Sequence, residues 1–365
     1  MRIFLSEIID EILGVPEGLL DISEEVYRGI VSNLEGDTTN VTLIPKRMNI
    51  NGNFNISDYK FNTVEVEINA NLNSDYDIEW LSMGVSGEMS TTKPYKRLSY
   101  VKNNKVYLII NLVCGYDKKW NDVADFFKGN KKKELISSIA HEFKHSYDNY
   151  KKGSDKASSI FKYVRVSSGN IGLPQLDKFT FYIYYTDAIE NLVRPAEVAS
   201  YLRNSNVTKA NFLDILKETN VYKNLKEAQN ISYDGMVKEI INDSRTVPSI
   251  KNFFEKKGEN TDNLSDEEIV KKFLQYHFKH YKSALKADYA NQVMRSNIAG
   301  NLFSFLKVPG REIDYNKKKA IEDFNREVER FSDSDFEKFY KYEEKKIHFE
   351  ANRALKKVAK LYAYI

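Results

Sequence analysis

Two histidines flanking a glutamate, His141-Glu142-Phe143-Lys144-His145, offer the most specific chemistry in this chain of 365 residues. On an α-helix, residues four apart stand one turn apart on the same face. His141 and His145 can then point their imidazoles at one spot, as two corners of a tetrahedral zinc site. Glu142 adjoins the first histidine and can reach a water at that spot as general base. The chemistry that uses such a set is metal-assisted hydrolysis, usually of a peptide bond. The competing reading is an exposed helix with two solvated histidines, and the neighbouring sequence has to decide between them.

The helix itself is written plainly. Glu134 to Tyr150 contains neither Pro nor Gly. Leu135, Ile136, Ile139, Ala140, Phe143 and Tyr147 recur at helical spacing and form an apolar stripe. Ser138, His141, His145 and Asp148 fall on an adjoining face, so the histidines flank the buried side. Gly153 is a natural stop. Upstream, Val106 to Val113 is a β-branched and aromatic run that predicts a buried strand. Val64-Glu65-Val66-Glu67-Ile68 alternates as a half-buried strand does.

A catalytic zinc takes a third protein ligand and keeps one open position. The form HExxHxxGxxH is excluded, because Asp148 and Lys151 occupy the Gly and His slots. His277, His280 and His348 lie far down the chain, which leaves a downstream acid. Tyr184 to Tyr201 is the best segment, with Glu190 and Glu197 seven apart on one helical face. Glu190 also fits a capping box with Asp187. Pro195 either lies within one helix or opens a second one. The first case favours Glu190 as ligand, with Glu197 further out on a ligand histidine or on Arg194. The second case favours Glu197.

HEFKHSYD (His141 to Asp148) resembles the active-site helix of gluzincin-type zinc metallopeptidases, members of the zincins. With YYTDAIENLVRPAE downstream, it is similar to metallopeptidases encoded in bacteriophage genomes. The resemblance covers about residues 105 to 203. It implies an α+β fold with a zincin-like sheet whose cleft edge holds an extended peptide. It implies zinc as cofactor, His141, His145 and Glu190 as ligands, and Glu142 as general base. That family often has Pro where Ala188 stands, whereas this chain has Pro195.

Asp148 sits on the histidine face and is a candidate to accept the ring N–H of a ligand histidine. Tyr182, Tyr184 and Tyr185 are candidates for oxyanion stabilisation, although most of the 24 tyrosines must be packing residues. His277 and His280 stand at i, i+3 near Asp288 and invite a second metal reading. A surface helix pair is the expected outcome there.

The rest of the sequence bounds the setting. With 42% hydrophobic residues the chain can build a large core. The organisation predicted is helices over 1–36, a zincin-like domain over 37–204 and a mainly α-helical domain over 205–365. Turns are expected at Asn51-Gly52-Asn53 and Ser82 to Gly87, a loop over Ser154 to Pro174, and a capping box at Ser265 to Glu268. Net charge is +3, which argues against nucleic acid as partner. Lys131–Lys133 and Lys317–Lys319 read as solvated flanks preceding helices. Cys114 is the lone cysteine, so no intrachain disulfide is possible.

No apolar run approaches a membrane span, and acids at Glu7, Asp10 and Glu11 interrupt the signal-like start. The expected location is the host cytoplasm or a virion. Expected partners are a peptide or protein substrate and phage structural proteins, with neither nucleic acid nor a membrane among them. The sequence thus points to zinc-dependent peptide hydrolysis. The rival is a structural virion or assembly protein that keeps a zincin scaffold with little or no turnover. A purely structural metal would need four protein ligands.

Overall fold

Four strands, β1 (Lys46–Ile56), β2 (Tyr59–Leu72), β3 (Ile78–Val85) and β4 (Lys105–Cys114), form one mixed sheet in the order β1-β2-β4-β3. The computed structural model describes residues 14–85, 105–129, 131–152, 173–186, 188–304, 311–360 and 362. β1 and β2 make an antiparallel hairpin, β4 runs parallel to β2, and β3 closes the sheet antiparallel to β4. In β4 the alternation is strict: Val106, Leu108, Ile110, Leu112 and Cys114 are buried, while Tyr107, Ile109, Asn111 and Val113 are half-buried. The expected buried strand therefore has one core face and one partly open face.

The hairpin corrects one expectation. Asn51-Gly52-Asn53 lies inside β1, where the register shifts between Asn51 and Phe54. It is a bulge, which suits a residue without a side chain. The turn falls instead at Ser57-Asp58, with Ser57 at a φ of 51°. Likewise Ser82 to Val85 continues β3, and the rest of that expected turn lies outside the described residues.

Helices α1 (Leu19–Leu34), α2 (Trp120–Lys128) and α3 (Lys132–Lys152) accompany the sheet. α3 is the helix predicted over 134–150, and it lies against α1 and β3. Its stripe residues Leu135, Ile136, Ile139, Ala140 and Phe143 are fully buried, and Tyr147 is half-buried. The Phe143 ring meets the edge of Phe61 on β2, centroids 5.9 Å apart. That contact fixes the rotation of α3 about its axis, and so the direction of its histidine face. Gly153 lies outside the described residues.

Gly18 secures the entry to α1. Its φ is +79°, and a Cβ there would stand 2.3 Å from the Asn55 carbonyl oxygen. Gly18→Ala is expected to destabilise the fold by about 1–3 kcal/mol, read from the denaturant midpoint. An unchanged midpoint would show that the β1 end yields freely.

Further on come α4 (Pro174–Tyr185), α5 (Ala188–Arg203), α6 (Phe212–Glu218), α7 (Asn220–Ala228), α8 (Tyr233–Asn242), α9 (Thr246–Glu255), α10 (Asp266–Ser304), α11 (Arg311–Val328) and α12 (Phe336–Ala359). The protein is thus α+β, a four-stranded mixed sheet followed by a mostly helical remainder, with twelve α-helices among the described residues. The expected box opens α10: Glu268 accepts from the Ser265 amide at 2.8 Å, and the Glu268 amide donates to Ser265 Oγ at 3.3 Å. Lys317–Lys319 lies within α11 and does not precede it.

Two compact units emerge. One comprises Met1–Lys156, Leu192–Lys223 and Lys356–Ile365, and holds the sheet with α1 to α3. The other comprises Ala157–Asn191 and Asn224–Leu355. Its core is aromatic: Tyr233 stacks on Tyr340 with centroids 5.7 Å apart, and Phe179 meets Tyr340 edge-on at 5.6 Å. The division falls within α5, after Asn191. Among the described residues no helix is long and apolar enough to cross a membrane.

Candidate metal centre

The site is built on two helices. α3 carries His141 and His145 one turn apart, with ring centroids 4.9 Å apart and planes at 74°. α5 carries Glu190 and Glu197. It is one continuous helix with Pro195 in its interior. Pro195 removes the amide that would bond the Asn191 carbonyl, yet the chain stays helical through it. Glu190 and Glu197 therefore share a face, two turns apart. Asp187, the cap candidate for Glu190, lies outside the described residues.

The two helices bring His141, His145 and Glu190 together. One ligand atom from each lies within 4.8 Å of the other two. Glu190 is only 2% exposed, so its carboxylate is withdrawn from water toward the imidazoles. Two imidazole nitrogens and one carboxylate oxygen form a donor set that could hold a metal ion. It is the one such group of three among the described residues. Glu142 follows His141 directly on α3 and is half-buried.

Glu197 does something different from Glu190. Its Oε2 lies 3.1 Å from His141 Nδ1 and accepts a hydrogen bond from Arg194 at 3.1 Å. With Nδ1 engaged by a carboxylate, a metal would bind His141 at Nε2. Burial alone would push the Glu197 carboxyl up. The hydrogen bond to His141 and the Arg194 charge outweigh it and hold the pKa below the usual carboxylate value. Arg194 is itself buried, so the carboxylate and guanidinium compensate one another away from water.

Matched against protein-family models, curated proteins and solved structures, the chain finds no significant counterpart. The site therefore rests on its own geometry.

Asp148 and Tyr182 have further partners of their own. Asp148 accepts from Lys144 at 2.5 Å, one turn back on α3. Lys144 is 7% exposed, so this pair braces the histidine face from one side. The i, i+4 Lys–Asp spacing was the signal for it. Tyr182 donates to Glu227 at 2.8 Å, and burial, then that bond, raises its pKa. Tyr184 is half-buried and Tyr185 buried.

His277 departs from the expected surface pair. It is 6% exposed, with Nδ1 3.4 Å from the Tyr340 hydroxyl, while His280 is exposed against Tyr276. Burial separates the two rings because i, i+3 positions near the edge of an apolar stripe need not share an environment. Cys114 is a buried free thiol, its pKa raised by burial.

Proposed function

We propose that the protein is a zinc-dependent peptidase of gluzincin type on a zincin-like sheet-and-helix scaffold. The observation that carries this reading is the convergence of His141, His145 and Glu190 beside Glu142. His141, His145 and Glu190 hold the metal. When bound, zinc supplies Lewis acidity that favours ionisation of a water and polarises the scissile carbonyl. The Glu142 carboxylate takes the proton from the attacking water and passes it to the leaving amine nitrogen. Glu197 keeps His141 in one tautomer and orientation, and Arg194 holds Glu197 in place. The substrate is a peptide or protein, and the resemblance to phage-encoded enzymes makes phage structural proteins the proposed partners.

The first test is the metal. Purified protein is expected to carry one zinc per chain by elemental analysis, with His141→Ala and His145→Ala each losing it. Stoichiometric, tight zinc in both variants would remove the site. Cleavage of a broad peptide library then separates a peptidase from the rival, an assembly protein that binds the metal without turnover.

A further inference from the structure

The solvent face of α12 (Phe336–Ala359) carries a pattern unrelated to the metal centre. Lys338, Tyr342, Lys345, Phe349 and Arg353 follow one another at steps of four, three, four and four. At 100° per residue they form a single ridge. Phe349 is 65% exposed and Tyr342 42%. The side chains of Lys338 and Arg353 are 77% and 71% exposed, and Lys345 is exposed with no ion partner among the described residues. Glu337, Glu343 and Glu344 point to other sides of the helix. Two acids do touch it: Asp335 pairs with Lys338 at 2.5 Å, and Glu350 with Arg353 at 3.7 Å. Arg330 adds a cation 5.4 Å from the Tyr342 ring.

Phe349 and Tyr342 set two exposed rings among these cations, and covering them would remove apolar surface from water. From the charge of the ridge and its exposed rings we infer that this face of α12 docks on an anionic lipid surface. The ridge is convex and presents rings and flexible cationic heads. A planar bilayer accepts that shape: rings seat among the head groups and upper acyl chains, and lysines reach back to the lipid charges. A single nucleic-acid strand is held instead in a concave channel with cationic walls. The apolar side of α12, with Phe336, Tyr340, Ile347 and Ala351, is buried in the protein, so only the solvent ridge meets the lipid and the attachment is peripheral, reversible and independent of any metal.

The test is co-sedimentation of the full chain with vesicles of phosphatidylcholine alone and of phosphatidylcholine mixed with phosphatidylglycerol. Binding is expected only to the mixed vesicles and should weaken as salt rises. At about 1 kcal/mol per cation, replacing Lys338, Lys345 and Arg353 by Gln should weaken binding roughly 100-fold. Phe349→Ser should weaken it while keeping its salt dependence. All four positions are exposed, and an unchanged circular dichroism melt verifies folding. Absence of binding, equal binding to both vesicles, or full binding by the triple variant would overturn the proposal. So would tighter binding of a single-stranded oligonucleotide, which would reassign the ridge to nucleic acid.

Discussion

Glu142→Gln is expected to retain zinc at wild-type stoichiometry while peptide hydrolysis falls by roughly 100- to 10,000-fold. The amide is nearly isosteric with the carboxylate, so the half-buried position on α3 is not disturbed. What is lost is a base able to take the water proton and return it to the amine. The kcal/mol equivalent is about 3–5, larger than any effect expected from changes around the site. The experiment pairs elemental analysis with initial rates on a cleaved library peptide. Hydrolysis at near wild-type rate would reject Glu142 as base while leaving the metal group intact. Cleavage by neither protein, with zinc bound in both, would favour the assembly-protein reading.

The second large effect separates the two glutamates of α5. Glu190→Gln removes a charged ligand and is expected to weaken zinc roughly 100- to 1,000-fold, an equal share of ~10–16 kcal/mol spread over four positions. Glu197→Gln keeps an oxygen that can accept from His141 Nδ1 and should cost about tenfold. Glu197→Ala leaves that nitrogen and Arg194 without their shared carboxylate, so its loss should lie between these two. Competition with a chromophoric chelator measures all three affinities. If Glu197→Gln proves the more damaging, Glu197 enters the coordination shell and Glu190 is the outer carboxylate. Matching small losses would remove α5 from the metal altogether.

Much of the site was readable because it is local. The His141–Glu142–His145 spacing depends only on helical geometry, and the stripe from Leu135 to Phe143 predicts both the helix and its buried side. The strands at Val64–Ile68 and Val106–Val113 were readable for the same reason, the first from its alternation and the second from its β-branched and aromatic run, both properties of a few neighbouring residues. The capping box at Ser265 is likewise a contact across three residues.

The tertiary structure decided what depends on distant contacts. Whether Pro195 breaks α5 is a balance between the bond it removes and the packing of Val193, Ala196 and Val198, all fully buried. Packing keeps the helix whole, and that continuity sets Glu190 and Glu197 on one face. Which of them meets the imidazoles, and which grips His141 Nδ1 with Arg194, turns on how α5 lies against α3. The two helices are separated by residues 153–187, α4 among them, so no local rule fixes their register. His277 shows the same limit: only the aromatic core around Tyr340 determines that one histidine of the pair is buried and the other is not. Local spacing names the groups able to do chemistry, and packing over long sequence separations selects which of them meet.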